Sequence, residues 1–546
     1  MSTKSQKPLN LFIFLILLGA SFLLCFDFLK SSGRLVTFDG MTHMSNIAQY
    51  YNALKDGDFP VRWLGSSANY GMPFGIFSQQ TVAYLGALLM FVIGNTLITY
   101  NVIIFLFAFI GCLTLYVFLR EYVDKVSALA GTILFCFAPY RIINIYVRGA
   151  IPEFVASIFL PLILLSLKKW IVDKKTNYYF LLIASLALLF LTHPISAIVF
   201  SVIAGLYFVF LIWGQKDWKR AVLFTIGAIV LSLGISSFYL LPLTREFSYL
   251  NQGTHETIFT SNSFIGINNL FREGLTGNNY LHIGLIELVV FVLGLVLVLR
   301  GYIRKKKIKP LLIISFISLL IYGFLITKAA TPLFYLVKPL GNVQHQWRFL
   351  SGIIFVAPLI LAFTLNNIFK RYKFIATILL VISLVITRFP WVKGENYVVT
   401  PESNYFSSKE NLYAQVMNTL WTGLTESYPV KEVKGEVIEG KGEIVGRNEH
   451  NSWRKYEINS DGKIRMVDNT FYFPGWKVYI DGKDTPIEFQ DVNYKGVITY
   501  KVPSGRHTVL VRFENTKTRR FANTLTSVSL VVFGGLFFFR FYYLKR

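Results

Sequence analysis

Asp39 and His43 stand four residues apart in VTFDGMTHM, directly after the first long apolar run of the chain. If a helix begins at residue 40, the two lie one turn apart on one face, a carboxylate able to take a proton beside an imidazole. Asp39 also suits the N-cap of that helix, whose apolar stripe would be Ile47, Tyr50, Tyr51 and Leu54. Capping alone is the ordinary reading of such an aspartate, and a packed or solvated ring the ordinary reading of a single histidine. Chemistry at this pair requires other groups to converge on it.

Groups of the right kind recur at the ends of later apolar runs. APYRIINIYVRGAIPEF holds Arg141 and Arg148, seven apart and on one face if the stretch is helical, with Glu153 just beyond. LTHPI places His193 before Pro194, and VQHQWRFL holds Gln344, His345, Trp347 and Arg348. The planar fork of arginine matches phosphate; its plainer role near a membrane is to anchor in lipid headgroups. Taken together these residues describe one basin of carboxylate, histidine, arginine and aromatic side chains at the mouths of membrane spans. Nucleotide loops (G-x-x-x-x-G-K-[ST], G-x-G-x-x-G), the zinc helix H-E-x-x-H, cysteine zinc patterns and the serine elbow G-x-S-x-G are all absent from the sequence.

The elements that must position this basin follow from composition. Of 546 residues, 54% are hydrophobic and 15% charged, against about a quarter charged in soluble domains. Apolar runs long enough to cross about 30 Å of hydrocarbon recur along the chain. They predict twelve spans: 10–29, 97–118, 126–139, 153–167, 178–192, 195–213, 221–243, 281–299, 311–327, 350–369, 374–389 and 522–540. The first is read as an uncleaved span, because its apolar stretch exceeds a signal-peptide core. Cys25, Cys112 and Cys136 all fall inside apolar runs and read as small buried hydrophobes.

The net charge of +24 is mostly a topology signal. The two termini and the loops REYVDK, KKWIVDKKTN, GQKDWKR, RGYIRKKKIK and KRYK carry 23 Lys+Arg against 4 acids, or 19 of the 24 net charges. The positive-inside rule puts them all in the cytoplasm, and no nucleic acid partner is implied. Counting TVAYLGALLMFVIG (81–94) as a span would invert every later loop, so it reads as a re-entrant or interfacial helix at the outer surface.

Three outer segments remain: a first loop 30–96, a segment 244–280, and 390–521. The last carries 19 Lys+Arg and 17 Asp+Glu, alternating stretches such as KVYIDG and HTVLVRFE, and turn signals FPGW, DGK and PSGR. It reads as a β-sandwich-like domain. In FYFPGWKVYIDG, Tyr472, Trp476 and Tyr479 could stack on sugars, but sandwich-core packing is preferred. The expected organisation is a multi-span membrane domain 1–389, an extracytoplasmic β-rich domain 390–521, and a final span with a basic tail, 522–546.

DGMTH after the first span, GDFPVRW (with Arg62) and NYGMPF in the first loop, YVRGAIPEF, LTHP, QWRFL and the late FYFPGWKVYIDGK and VPSGRHTV resemble bacterial membrane proteins of the YfhO-like and 6-pyruvoyl-tetrahydropterin-synthase-related families. The resemblance covers nearly the whole chain. These families are similar to the GT-C glycosyltransferase superfamily, which uses polyprenyl-phosphate sugars and an acidic residue in the first outer loop. The resemblance thus implies a GT-C-like fold with Asp39 in the acidic role, and stretch 81–94 as the juxtamembrane helix of that loop. GT-C proteins often pair acids there, whereas here glycine follows Asp39 and the nearest acids are Asp56 and Asp58.

The resulting expectation is a glycosyltransferase in a bacterial plasma membrane, both termini cytoplasmic, with its active site and β-domain outside. It would move a sugar from a polyprenyl-phosphate carrier to an envelope glycan, polymer or lipid. Asp39 and His43 are the expected catalytic pair. Arg62, Arg141, Arg148, Glu153, His193, His345 and Arg348 are the expected substrate and phosphate contacts. The cofactor is unassigned; a divalent cation such as Mg or Mn is compatible with oxygen ligation by Asp39, and no metal-ligand set is named. A lipid-linked glycan flippase or a non-catalytic glycan-binding membrane protein are the alternatives. A flippase should show ionisable residues at mid-span and internal repeats, and the spans hold few of the former and no evident repeat.

Overall fold

The computed structural model describes residues 6–67, 69–251, 264–266, 270–271, 281–305, 309–367, 369–407, 418–423 and 427–543. Most of the expected outer segment 244–280 lies outside the described residues, as do the chain ends and part of the basic run RGYIRKKKIK. Among the described residues ten helices are long and apolar enough to cross a membrane, and a pair bent by 84°, Pro310–Leu325 and Lys328–Leu336, would make an eleventh crossing. The remaining expected span, 178–192, forms the helix Asn177–Thr192. Its 16 residues reach about 24 Å, short of the hydrocarbon thickness.

Helices Lys125–Tyr146, Ile151–Ile171 and Gln346–Asn367 are the most enclosed and form the centre of the bundle, whereas Lys517–Arg540 lies open at its edge. Two of the central spans are broken near one end. Lys125–Cys136 stops before Pro139 and resumes as Pro139–Tyr146, since proline accepts a helix's first turn but not its interior. Ile151–Ala156 likewise gives way to Phe159–Ile171.

Four of the five basic loops meet at one end of the bundle. Lys168 and Lys169 each lie 2.6 Å from Glu121, Lys373 lies 3.0 Å from Asp124, and Lys174 lies 3.3 Å from Asp217. Arg540 of the last helix bonds Asn177 at the same end.

The opposite end carries the first loop and the β-rich domain. After α1 (Gln6–Lys30), strand β1 (Arg34–Leu35) pairs antiparallel with β2 (Tyr397–Val398), which ties the two segments together where they leave the bundle. Helix α2 (Gly40–Lys55) follows. The apolar stretch 81–94 becomes the helix Gln80–Ile93, packed on α2 so closely that a Cβ at Gly86 would come 2.5 Å from Ile47.

Strands β3 (Gly435–Glu439), β4 (Gly442–Glu449), β5 (Trp453–Ser460), β6 (Ile464–Phe471), β7 (Trp476–Ile480), β8 (Lys483–Thr485), β9 (Val497–Val502) and β10 (Gly505–Phe513) form two antiparallel sheets, ordered β4-β5-β10-β7-β8 and β3-β6-β9. Their alternating residues (Tyr456 and Ile458, Met466, Val478, Tyr500, Val509 and Val511) fill the space between the sheets. That core continues into the first loop through Trp63, whose ring meets Trp476 edge-on at 5.1 Å and Phe513 at 5.1 Å. Trp476 is therefore core, and Tyr472 stacks on Phe489 at 3.7 Å. The last helix begins at Lys517, ahead of the expected 522, because its polar first turn is held in place: Arg519 is fully buried and bonds Glu246.

Candidate active site at the mouth of the central spans

The site is built where the first loop meets the break between two central spans. Phe38 and Asp39 donate their backbone N–H groups to the carbonyls of Val147 and Arg148 at 3.2 and 2.7 Å. Gly149 permits this contact: its φ of +65° is left-handed, and a Cβ there would stand 2.6 Å from the Gly40 nitrogen. Asp39 holds the N-cap position of α2, yet its side chain accepts no capping bond. Thr37 Oγ1 accepts the Gly40 N–H instead, at 3.1 Å. The ordinary capping explanation of the aspartate carboxylate therefore fails, and the carboxylate lines a pocket.

That pocket encloses about 60 Å³ and is walled by Asp39, His43, Arg148, Glu153, His193 and Arg348, with Asn46, Ser78 and Gln79 on the first-loop side. Glu153 is its hub. One carboxylate oxygen accepts from Tyr140 Oη at 2.7 Å and the other from Arg148 Nη1 at 2.8 Å, while Arg348 Nε lies 3.9 Å away. Arg148 also donates to Tyr140 Oη and Asn144 Oδ1, at 2.9 and 2.7 Å. Two guanidinium groups around one carboxylate leave this wall with a net positive charge, opposite the negative charge of Asp39.

His193 caps the helix Pro194–Ile212: its Nδ1 accepts the Ser196 N–H at 3.2 Å. In the neutral ring the proton therefore sits on Nε2. Burial holds His43 down at about 4, with Asp39 opposing and Arg148 adding. Burial likewise holds His193 and His345 at about 3, reinforced in both by Arg348 and Arg148 and opposed by Glu153. All three rings are neutral at pH 7.

Six of the nine expected residues thus share one pocket, and His345 stands next to it, stacked on Trp347 at 4.0 Å. Two are elsewhere. Arg141 is buried between the rings of Phe135 and Phe154, at 4.1 and 4.4 Å, and donates to Ser157 Oγ at 2.7 Å. The helix that would have aligned it with Arg148 ends at Tyr146, so the seven-residue spacing does not carry through. Arg62 bonds Asn523 at 2.9 Å and lies over Phe238, at the junction of the first loop with the last helix. Neither lines this pocket. Tyr140 and Asn144 were missed, although with Arg148 they form a run of polar side chains at four-residue intervals in an apolar stretch. Among the described residues no cluster of three or more His, Cys, Asp or Glu has the geometry to hold a metal ion.

Fold and site define a polytopic helical membrane protein with a β-sandwich ahead of its last helix and a buried polar pocket at one end of the bundle. The chain belongs to the family described as "6-pyruvoyl-tetrahydropterin synthase related domain; membrane protein", which matches residues 83–393. A comparison with curated proteins gives no match. Among solved structures the chain is similar to the arabinofuranosyltransferase AftD from Mycobacteria, at 13% identity and a TM-score of 0.45, covering 73% of this chain and 30% of that one. It is also similar to the Archaeoglobus fulgidus oligosaccharyltransferase. The apo form gives 14% identity and a TM-score of 0.42, over 78% of this chain and 62% of that one. The form tethered to an acceptor peptide with the NVT sequon gives 14% and 0.44, over 79% and 62%. The chain spans less than two thirds of each of these proteins.

Proposed function

We propose that this protein is an integral membrane glycosyltransferase. It would move a sugar from a polyprenyl-phosphate carrier to an envelope glycan, polymer or lipid at the outer face of a bacterial plasma membrane. The observation that carries the reading is the pocket itself: a carboxylate not spent on capping faces a net-positive wall, with neutral histidines between. Asp39 accepts the proton of the acceptor hydroxyl, whose oxygen bonds to the anomeric carbon. The bond from that carbon to the phosphate oxygen breaks, and polyprenyl phosphate departs toward Arg348 and Arg148. Glu153 and Tyr140 orient Arg148, and His193 keeps an N–H directed from Nε2. The gathering of four basic loops at the far end supports an outward-facing pocket, because a cytoplasmic end rich in Lys and Arg leaves the other end outside.

A further buried ion pair of the spans, Arg388 with Glu287 at 2.7 Å, joins the last residue of one helix to the first turn of another. It lies at helix ends, away from the mid-span position a transporter favours. The test is transfer from a radiolabelled polyprenyl-phosphate sugar pool in membranes, wild type against Asp39→Asn. Transfer by the wild type and its loss in a normally folded variant is the expected result; equal transfer by both removes Asp39 from the chemistry.

A further inference from the structure

A second polar pocket, of about 340 Å³, opens where the first loop meets the β-sandwich. Asn52, Lys55 and Asp56 come from the end of α2; Glu449, His450 and Arg454 come from β4, β5 and their turn. Its size lies within the ~300–1,000 Å³ of small-ligand sites, and it sits at an interface between two parts of the fold, where such sites concentrate.

The walls are fixed. Asn451 donates from its backbone to Asp56 at 2.8 Å and from its side chain to Asp58 and the Trp63 carbonyl, at 2.7 and 2.9 Å, and accepts from Gly65 N–H at 2.7 Å. Lys434 reaches the carbonyls of Gly65, Asn69 and Asn469 at 3.3, 2.5 and 3.3 Å. Arg454, on the floor, is buried against Asp468 at 3.2 Å. His450 lies flat on Trp453 at 4.1 Å, which presents a rigid ring at the rim. By contrast, the side chains of Asn52, Lys55 and Glu449 form no hydrogen bond with other described residues. Lys55 only lies over the Tyr51 ring.

The open groups are an amide, an ammonium and a carboxylate, backed by one further acid, Asp56, and two further bases: Lys434, turned onto backbone carbonyls, and Arg454, paired with Asp468. Such a set supplies donors and acceptors of both signs with little net charge. A phosphate or an acidic peptide would need one sign in excess, and an apolar ligand would leave these groups unpaired. A neutral polyhydroxylated ligand with a ring face to lay against His450 fits all of them.

The position adds a second argument. This pocket and the Asp39 pocket lie at opposite ends of α2, whose 16 residues span about 24 Å. We infer that the seam between first loop and sandwich binds a neutral oligosaccharide, as the distal subsite for an extended glycan acceptor whose growing end lies at Asp39. The binding stands by itself; its part in acceptor recognition rests on the transferase reading.

The experiment measures binding of maltohexaose, chitohexaose and a linear mannohexaose to the full-length protein in nanodiscs by titration calorimetry. It compares wild type, Asp39→Asn and the surface double variant Asn52→Ala/Glu449→Ala. At least one hexasaccharide should bind wild type and Asp39→Asn alike, with a loss of tenfold or more in the double variant. Binding of none, or equal binding by the double variant, overturns the inference. The transfer assay on the same proteins separates the two readings. If Asp39→Asn alone abolishes transfer and the double variant keeps both transfer and binding, the seam site falls and the transferase stands. If the double variant loses binding while no protein transfers sugar, the seam site stands and the transferase falls.

Discussion

The pocket at the span mouths and the junction between sandwich and last helix use the same pairing, a buried arginine against a buried glutamate, to opposite ends. At the junction every group is filled in. Arg519, fully buried, donates to Glu246 and to the carbonyls of Pro474 and Glu514 at 2.9, 2.8 and 3.3 Å, lies against the rings of Phe473 and Phe513, and Thr516 completes Glu246 at 2.9 Å. At the mouth, Glu153 faces two arginines, and the space between them and Asp39 is left open. A filled pair is a bolt that fixes the last helix to the sandwich. A pair left beside a cavity keeps its charge available to a ligand.

The comparison breaks if the two regions respond alike to substitution. Asp39→Asn should lower transfer by ~10²–10⁴-fold, the usual contribution of a positioned base. It should move the unfolding midpoint of the purified protein less than a substitution at the junction does, since the side chain makes no capping bond. Glu246→Ala or Arg519→Ala should do the reverse, costing about 3–5 kcal/mol because each strands a buried charge, with transfer per folded molecule retained. Thermal unfolding in detergent together with the transfer assay reads both. A destabilisation by Asp39→Asn equal to that of Arg519→Ala would mean that the aspartate is structural.

Gly149→Ala sharpens the contrast from the side of the site. The position is left-handed and a Cβ would press on the Gly40 backbone, so a strain of about 1–3 kcal/mol is expected. The same shift would move Arg148 relative to Asp39, and ångström-scale misplacement costs up to ~10²-fold in rate. A variant that loses stability but keeps full transfer would show that the Asp39–Arg148 spacing is not critical.

How much of this was legible in the sequence differs between the two regions for a physical reason. Spans and basic loops declare themselves because lipid and charge asymmetry act on composition, and the sandwich because alternation has a period of two. Asp39, His43, Arg148, Glu153, His193 and Arg348 stood out as polar residues at the ends of apolar runs. Arg141 stood out in the same way and went elsewhere, because local sequence does not reveal that the helix stops at Tyr146 and that Gly149 turns the chain. The partners of Arg62 and Arg519, Asn523 and Glu246, lie hundreds of positions away. No spacing rule links them. The span count differs for another reason: helix Asn177–Thr192 has the ends the apolar run predicts, but its 16 residues are fewer than a typical span needs.

The smallest expected effect is a difference in the sign of pH dependence between the two regions. At the mouth, burial holds His43 at about 4, below its ordinary 6.5. Between those values the unfolded chain binds a proton that the folded one refuses. Stability therefore falls as the pH drops from about 6.5 toward 4, and is unaffected above. His193 and His345 act in the same direction. In the sandwich, His507 is raised by its bond to Asp481 at 2.6 Å and by the Ser504 carbonyl. Its contribution is fully present below pH 6.5 and lost as the pH rises through its folded value, and it is small because the pair is solvent-exposed. Unfolding midpoints from pH 4 to 8 should then separate the variants. His43→Gln should flatten the acid limb by up to one proton. His507→Gln should lower the midpoint slightly at pH 5 and leave it unchanged at pH 8. If His43→Gln leaves the acid limb unaltered, the folded ring takes up its proton at the same pH as the unfolded one, and burial does not hold His43 neutral below pH 6.5.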